Sequence, residues 1–274
     1  MRQRDRGRKL SGAAGFNEYY SNLLGGRWES LRESFLLDSD PVEWNAGGLK
    51  SYFLDSASVR AALSLPLENA TDILDMCAAP GGKTLVLASN MNDGARLIAN
   101  ERSPERRNRL SLTVRDCLPK DVRERVRVIC RDGASMCRSN ADSFDAILLD
   151  APCSSERHVM SCMRYLDEWS PSRIKTLSMA QWALLSSAWR MLRGGGFVLY
   201  STCALSPDEN DGVIGRLLRK FDDVRLLEPK ISLGLNGLAV SRLPDCERTR
   251  FGARILPDVS GGAGPLYFCL MQKI

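Results

Sequence analysis

Short apolar runs alternate with helical stretches along the chain from about residue 72 onward. The runs that predict strands lie at 72–76, 96–100, 126–130, 144–149 and 196–200. The stretches that predict helices lie near 83–90, 103–117 and 173–193. This alternation is typical of an α/β fold with a doubly wound, mostly parallel sheet. Two later runs, 224–227 and 266–271, predict further strands, which follow a helix whose first turn contains Pro207.

The residues ahead of the first strand carry a different pattern. Apolar positions in 16–20 and 28–35 recur with a spacing of about 3.6, which predicts helices. The first ten residues contain five basic side chains and one acid, which is typical of a flexible basic arm; contact with RNA and organelle targeting are the alternatives. These patterns divide the chain into a basic arm at 1–15, an N-terminal helical extension at 16–70 and a catalytic domain at 71–274.

Composition argues against a membrane protein, a secreted protein and a zinc protein. Apolar residues make up 44% of the chain, and no apolar run approaches the roughly 18 residues of a membrane span. The basic N-terminus is not followed by the apolar stretch of a secretory signal. Nine cysteines without a Cys-x-x-Cys pair, together with a single histidine, argue against a zinc site and for a reducing compartment. We expect a cytoplasmic protein without metal or membrane contact, with the mitochondrion as the second compartment.

Positive charge is concentrated in one stretch. The net charge of the chain is +5, and residues 102–131 contain ten basic side chains against four acids. Such a stretch favours binding to phosphate backbones regardless of their sequence. A solvated helix face with scattered ion pairs is equally compatible with this pattern.

A glycine-rich segment follows the first predicted strand. It reads Asp75-Met-Cys-Ala-Ala-Pro-Gly-Gly-Lys-Thr84, and its glycines would let the backbone approach a ligand at the start of the next helix. Its spacing matches neither a P-loop nor Gly-x-Gly-x-x-Gly, so a purely structural turn is the alternative. Glu101 follows the second strand, where doubly wound nucleotide folds place an acid against ribose. Asp132 and Gly133 follow the third strand, where an adenine edge would lie.

Two cysteines stand where later strands end. Cys153 follows the run 144–149, and Cys203 follows the run 196–200. Ligands of open α/β sheets bind outside the carboxyl ends of the strands, so both sulfurs are expected to face one crevice. This placement predicts chemistry at a thiolate. The residues alone do not rank the two thiols.

Three segments resemble a known family. Residues 75–84, Asp-Ala-Pro-Cys-Ser at 150–154 and Tyr-Ser-Thr-Cys-Ala-Leu-Ser-Pro-Asp-Glu-Asn at 200–210 resemble the signatures of the Sun-domain RNA (cytosine-5) methyltransferases. The resemblance extends from about residue 16 to the C-terminus. It is most similar to the compact branch that includes mitochondrial rRNA- and tRNA-methylating members. It implies a Rossmann-like methyltransferase fold, S-adenosylmethionine as cofactor and rRNA or tRNA as substrate.

The resemblance also implies the roles of individual residues. Cys203 would add to carbon 6 of cytosine, Cys153 would help to release the product, and Asp150, if protonated, would stabilise charge on the ring. Glu101 would hold the ribose hydroxyls, although relatives often have Asp there. The residues implied to bind the cofactor are Cys77, Ala78, Ala79, Pro80, Gly81, Gly82, Lys83, Glu101, Arg106, Asp132, Gly133 and Asp150.

Other functions are compatible with the sequence. A methyltransferase for a protein or small molecule shares this fold, but amine methylation needs no thiol addition. An RNA-binding assembly factor that has lost catalysis would keep the same motifs, and methylation of uracil would use the same thiol chemistry. RNA would be selected by the N-terminal helices, the basic stretch 102–131, residues 154–172 or a partner protein.

Overall fold

The computed structural model describes residues 10–37 and 41–274. Its strands are β1 (Val42–Trp44), β2 (Tyr52–Leu54), β3 (Asp72–Asp75), β4 (Arg96–Asn100), β5 (Val126–Ile129), β6 (Phe144–Asp150), β7 (Leu192–Thr202), β8 (Val224–Leu227), β9 (Glu247–Arg248), β10 (Ala253–Ile255) and β11 (Leu266–Lys273). Its α-helices are α1 (Gly12–Leu24), α2 (Arg27–Ser34), α3 (Ser56–Leu63), α4 (Gly82–Ala88), α5 (Pro104–Cys117), α6 (Lys120–Arg123), α7 (Glu156–Met160), α8 (Met163–Asp167), α9 (Pro171–Met191) and α10 (Asp211–Lys220). Short 3₁₀ helices lie at Gly133–Arg138 and Val240–Arg242.

The strands form a large mixed sheet in the order β5-β4-β3-β6-β7-β11-β10-β9, with β8 also paired to β11. The pairs from β5 to β7 are parallel, and the pairs made by β11 are antiparallel. This confirms the predicted doubly wound, mostly parallel sheet. The chain leaves β3 toward β4 and β5 and then returns to β6 on the other side of β3. A crevice therefore opens at the carboxyl ends of β3 and β6, where ligands of such sheets bind.

Successive residues of the parallel strands pack on opposite faces of the sheet. Ile73 and Leu148 belong to one apolar cluster, with side chains of α3 and α4. Leu74 and Ile147 belong to a second cluster, with side chains of α9 and α10. Because both faces are covered, the buried middle positions of the central strands, such as Ile73, Leu74 and 146–149, are apolar, and for this reason short apolar runs predicted these strands correctly. None of the helices described for this chain is long and apolar enough to cross a membrane.

The two predicted N-terminal helices are present as α1 and α2. Aromatic side chains of α1 pack against Trp169, with a ring-centroid distance of 5.3 Å from Phe16 and 6.1 Å from Tyr20. Residues 1–9 of the predicted basic arm lie outside the described residues. Helix α1 begins at Gly12, so it includes the last residues assigned to that arm.

A β-hairpin, β1 and β2, occupies part of the segment predicted to be a helical extension. Each of its strands has three residues, which is too short for an alternating pattern to be recognised. The hairpin packs on the glycine-rich segment: a Cβ atom on Gly82 would lie 3.0 Å from the ring of Tyr52 and 3.2 Å from the side chain of Leu54. The hairpin therefore depends on its contact with the glycine-rich segment, which lies about 30 residues further along the chain, and not on a local sequence pattern.

Pro207 does not open a helix, and that prediction is wrong. Helix α10 begins at Asp211, and Pro207 lies in a turn whose carbonyl accepts the N–H of Gly212 at 2.8 Å. The side chain of Asn210 ties this turn to the end of β7, because its Oδ1 accepts the hydroxyl of Thr202 at 2.6 Å. The turn is therefore held against the strand that carries Cys203.

Candidate active site

The carboxyl ends of β3, β6 and β7 surround a cavity of about 400 Å³. Its walls contain Ser58, Cys77, Ala79, Lys83, Arg106, Asp150, Ala151, Pro152, Cys153, Ser155, Cys203 and Leu266. A second cavity of about 190 Å³ is lined by the hairpin, Asp75 and the glycine-rich segment, and it shares Cys77, Lys83 and Asp150 with the first. The fold thus brings both cysteines, Asp150 and most of the predicted cofactor loop to one crevice.

The two cysteines are in direct contact. Their Sγ atoms are 2.9 Å apart, and the hydroxyl of Ser155 lies 3.2 Å from Cys203 and 3.5 Å from Cys153. Hydrogen bonds from Cys153 and Ser155 favour the ionised form of Cys203 and lower its pKa. The pKa of Cys153 is raised, because it donates its hydrogen to the Cys203 sulfur and because it is buried. The geometry therefore favours Cys203 as the thiolate and Cys153 as the thiol.

Both oxygens of Asp150 already accept hydrogen bonds. Lys83 Nζ lies 2.8 Å from Oδ2, and the hydroxyl of Ser201 lies 2.7 Å from Oδ1. Lys83 is also 3.1 Å from the hydroxyl of Ser58. Burial opposes the charge of Lys83, but the attraction of Asp150 outweighs burial, and the pKa of Lys83 is raised. Asp150 and Lys83 thus form a fixed ion pair at the junction of the two cavities.

Two buried carboxylate oxygens lack hydrogen bonds, one on Asp75, which lines the smaller cavity, and one on Glu101, which lines neither cavity. Asp75 uses Oδ2 to accept the hydroxyl of Thr84 at 2.7 Å, but its Oδ1 has no partner. Glu101 uses Oε1 to accept the N–H of Ser103 at 2.8 Å, and its Oε2 makes no hydrogen bond, although Arg106 lies 3.4 Å away. Burial raises the pKa of Asp75 to about 7. Buried acceptors without donors indicate a missing ligand, and the hydroxyls and amine of S-adenosylmethionine are suitable donors.

The glycines of the loop are required by packing within the protein. A Cβ atom on Gly81 would lie 2.8 Å from the methyl group of Thr113, and Gly81 has a φ of +118°. A Cβ atom on Gly133 would lie 2.9 Å from Leu184 and from Met76. Packing against other elements thus accounts for the absence of side chains at Gly81 and Gly133, and the approach of a ligand to the loop stays a prediction.

The remaining predicted cofactor residues differ in their placement. Arg106 donates to the carbonyl of Ala79 at 2.8 Å and so holds the loop. Asp132 is exposed, and its side chain accepts the N–H of Ala134 at 3.3 Å as the cap of a 3₁₀ helix. Within the loop, Ala78 is buried and Pro80 is exposed. No group of three His, Cys, Asp or Glu side chains within 10–37 and 41–274 is arranged to hold a metal ion.

Several residues of the crevice were missed from the sequence. Ser201 hydrogen-bonds Asp150, but nothing in its sequence context distinguishes it from other serines beside the motifs, whereas Ser155, which contacts Cys203, lies in the segment 154–172 that the sequence had singled out. Ser58 and the hairpin residues Tyr52 and Phe53 line the crevice from the N-terminal side. Their segment carries no recognisable ligand-binding pattern, so only the fold reveals them.

A family model described as 16S rRNA methyltransferase RsmB/F matches residues 62–262. The chain belongs to this RsmB/F family. The resemblance inferred from the three motifs is thereby confirmed. The segments that carry the glycine-rich loop, both thiols and Asp150 all fall within the matched residues.

Alignments with individual members of the RsmB/F family cover most of this chain. It is 33% identical to the 5-cytosine rRNA methyltransferase NSUN4 of Xenopus laevis over 83% of this chain and 57% of that protein. It is 32% identical to the mitochondrial tRNA (cytosine(34)-C(5))-methyltransferase of Danio rerio over 84% of this chain and 63% of that protein. The chain therefore spans about six tenths of the length of these relatives. A methyltransferase homolog protein from Pyrococcus horikoshii shares the fold, with a TM-score of 0.69, 22% identity and 94% of both chains covered.

Replacing Glu101 tests whether its carboxylate binds the cofactor. Glu101→Ala should weaken binding of S-adenosylhomocysteine by about 10- to 100-fold, because hydrogen bonds to a charged group contribute roughly 1.5–3 kcal/mol. Glu101→Asp should retain most of the affinity, since it keeps the carboxylate. Isothermal titration calorimetry measures both changes. Equal affinities of wild type and the Ala variant would show that the unpaired oxygen of Glu101 does not face the cofactor.

Proposed function

We propose that the protein is an S-adenosylmethionine-dependent RNA (cytosine-5) methyltransferase. The observation that carries this proposal is the contact of two thiols, 2.9 Å apart, in a crevice that Asp75 also lines, with one buried carboxylate oxygen that lacks a hydrogen bond. Methyl transfer to an amine or hydroxyl requires no thiol. Carbon 5 of a pyrimidine does require one, because the ring becomes nucleophilic there only after a nucleophile has added to carbon 6. The printed names of the relatives, which act on rRNA or tRNA cytosine, support the same reaction.

The thiols have complementary parts in this reaction. The Cys203 thiolate forms a bond to carbon 6, and the electron pair of the ring moves toward carbon 5 and the ring nitrogen. Lys83, held in place by Asp150, stands beside the thiols, and its positive charge stabilises the negative charge that develops on the ring. After methyl transfer, a base takes the proton from carbon 5, the double bond reforms, and the bond between carbon 6 and Cys203 breaks with its electron pair returning to the sulfur. Cys153 lies next to that bond and assists this release.

The cofactor half of the crevice would hold S-adenosylmethionine through the loop from Cys77 to Lys83. When bound, this cofactor supplies an electrophilic methyl group. Glu101 would accept hydrogen bonds from the ribose hydroxyls, and Asp132 would face the adenine. Asp75 is buried behind the loop and offers one free acceptor oxygen. Arg106 fixes the loop through the carbonyl of Ala79.

RNA recognition is proposed for the surface around this crevice. Arg102 and Arg106 are exposed on the basic stretch, and Arg106 also lines the larger cavity. The N-terminal extension, residues 154–172 and a protein partner are further candidates for RNA selection, with 71–274 as the catalytic domain. The name of the Danio rerio relative places that protein in mitochondria, which supports the second of the two compartments expected from the sequence.

Transfer of a labelled methyl group tests the proposed function. The enzyme is incubated with labelled S-adenosylmethionine and either deproteinised total RNA or partly assembled ribosomal subunits, and the RNA is digested to nucleosides. Label in 5-methylcytidine is the expected result, and the labelled fraction identifies the RNA class. Label in 5-methyluridine would show that uracil, and not cytosine, is the methylated base. Label in neither RNA pool, from enzyme that binds the cofactor, would contradict RNA methylation and favour a binding factor.

A further inference from the structure

Two buried carboxylates lie beside the thiol-bearing loops, and the reaction described above gives them no role. Glu156 and Glu209 are each 0% exposed. Buried carboxylates are normally paired with a cation, yet the hydrogen-bond partners described for these two are neutral. Those partners are Ser154, Gln181, Tyr20 and backbone N–H groups.

Each carboxylate stands in a loop that carries one of the cysteines, after β6 or after β7, and accepts a hydrogen bond from the other of these two loops. Glu209 stands in the loop after β7, and its Oε1 accepts the N–H of Ser154, in the loop after β6, at 2.9 Å. Glu156 stands at the end of the loop after β6, and its Oε2 accepts the N–H of Leu205, in the loop after β7, at 3.0 Å. These crossed contacts fix the two loops relative to each other. They therefore also fix the distance between the two sulfurs.

The side chain of Gln181 strengthens this arrangement from α9. Its amide donates to Glu209 Oε1 at 2.8 Å and to the carbonyl of Pro152 at 2.9 Å. Pro152 immediately precedes Cys153, so the long helix contributes to the position of that thiol. Glu209 Oε1 thus accepts two N–H groups, and its other oxygen is free to carry a proton.

The number of hydrogens requires one of the two carboxyl groups to be protonated. The Ser154 hydroxyl lies 2.5 Å from Glu209 Oε2 and also contacts Glu156 Oε1, but it has only one hydrogen to donate. Tyr20 already donates its hydroxyl to Glu156 Oε1 at 2.5 Å. All contacts are satisfied when protonated Glu209 donates to Ser154 and Ser154 donates to ionised Glu156. Without that proton, the Ser154 hydroxyl would have one hydrogen for two negatively charged oxygens, Glu209 Oε2 and Glu156 Oε1.

We propose that Glu209, Ser154 and Glu156 form a carboxylate brace, closed by one shared proton, that positions Cys153 and Cys203 for reaction. These are positioning residues, since they act through the thiols and contact neither substrate nor cofactor in this arrangement. Their role in turnover rests on the proposed function, whereas their effect on the thiols does not. When the brace opens, the sulfurs separate, and Cys203 loses the hydrogen bond that favours its thiolate.

The titration of Glu209 gives the brace a defined pH range. Burial, followed by the charge of Glu156, raises the pKa of Glu209 from 4.5 to about 7. A raised folded-state pKa means that the stabilising effect of the proton is complete below about pH 4.5 and is lost as the pH rises through about 7. Among the described residues, the other titratable groups whose pKa responds to these carboxylates are Tyr19, Tyr20 and Tyr200 and the thiols of Cys153 and Cys203. The pKa of each tyrosine is raised, so the tyrosines remain neutral over this range.

Three variants test the brace. Glu209→Ala removes it, whereas Glu209→Gln keeps an acceptor for Ser154 N–H and a permanent donor toward the Ser154 hydroxyl. Asp211→Asn is the matched control, because Asp211 is a nearby carboxylate that accepts from Tyr267 at 2.8 Å and from Thr249 at 3.0 Å. Its side chain ties down the segment before β10, and the hydrogen bonds described for it go to Thr249, Arg250, Phe251 and Tyr267, none of which belongs to a loop that carries a thiol. The readouts are the alkylation rate of Cys203 by iodoacetamide, followed by peptide mass spectrometry, and kcat with KM for S-adenosylmethionine.

The variants are expected to separate an effect on the position of the thiols from an effect on the stability of the fold. Glu209→Ala should slow alkylation of Cys203 by about tenfold or more near pH 7 and lower kcat to a similar extent, with KM within about twofold. Glu209→Gln should match wild type near pH 6, and its rate relative to wild type should rise as the pH passes about 7. Asp211→Asn should lower the melting temperature without changing the reactivity of Cys203.

Two outcomes would overturn the brace. Wild-type alkylation in Glu209→Ala would remove the positioning role, and a Gln-to-wild-type ratio that stays constant from about pH 6 to about pH 9 would remove the shared proton. If Glu209→Ala does not fold, the ratio of the alkylation rates of Glu209→Gln and wild type still tests the shared proton. Thiol reactivity that follows the expected pattern in an enzyme that methylates no RNA would support the brace and contradict the proposed function.

Discussion

Cys203→Ala is expected to lower methyl transfer on the order of 10⁴-fold or more, while leaving the affinity for S-adenosylmethionine within about twofold. The loss is large because no other group replaces the covalent step. Cys153 is the nearest sulfur, but its pKa is raised and its hydrogen is directed to Cys203. Single-turnover assays with labelled cofactor measure the rate, and calorimetry measures the affinity.

Cys162→Ala is the matched control for this change. Cys162 is a free, partly buried cysteine that lies in neither cavity of the active site. Its replacement should leave the rate unchanged. Normal turnover by Cys203→Ala would show that Cys203 is not the nucleophile, and loss of turnover in Cys153→Ala alone would then assign the attack to Cys153.

Cys153→Ala is expected to accumulate a covalent complex between the enzyme and RNA. The sulfur of Cys153 lies 2.9 Å from Cys203, beside the bond that must break at the end of the reaction, so its removal should block release more than attack. The variant also removes a hydrogen bond that lowers the pKa of Cys203. Formation of the complex should therefore be slower near pH 7 than near pH 9. Denaturing electrophoresis of labelled RNA detects the complex.

The double variant Cys153→Ala, Cys203→Ala separates true adducts from tight binding. It should give no band that survives denaturation at any pH. Absence of a complex from Cys153→Ala at both pH values, in a variant that still binds RNA, would contradict the role of Cys153 in release. A complex of equal size in the double variant would show that another residue forms the bond.

The sequence predicted the parts of the fold that depend on burial and missed the parts that depend on distant contacts. Continuous apolar runs located β3 and β6 because these strands are covered on both faces. The hairpin depends on Gly82, and the turn at Pro207 depends on Asn210 bonded to Thr202. Such contacts leave no periodic pattern in the chain, so local propensity assigned both segments to helices.

The active site shows a similar division. Placement at strand ends was sufficient to bring Cys153, Cys203 and Asp150 into one crevice, because parallel strands share the edge at which they end. Which sulfur carries the proton was not predictable, since it depends on Ser155 and on a distance between loops. Glu209 was part of a recognised motif, but its raised pKa follows from burial beside Glu156, which only the fold reveals.

The hairpin lines the crevice although it lies ahead of the residues that the family model matches. The match to the RsmB/F family begins at residue 62, but Ser58 and Tyr52 line the crevice, and Tyr20 donates to Glu156. A chain shortened to the matched residues would keep both thiols and the parallel strands, but it would lose β11, which pairs with β7, and one wall of the smaller cavity. Fragments chosen by sequence similarity alone would therefore be poor substitutes for this enzyme in ligand screens or in transplants onto other RNA-binding modules.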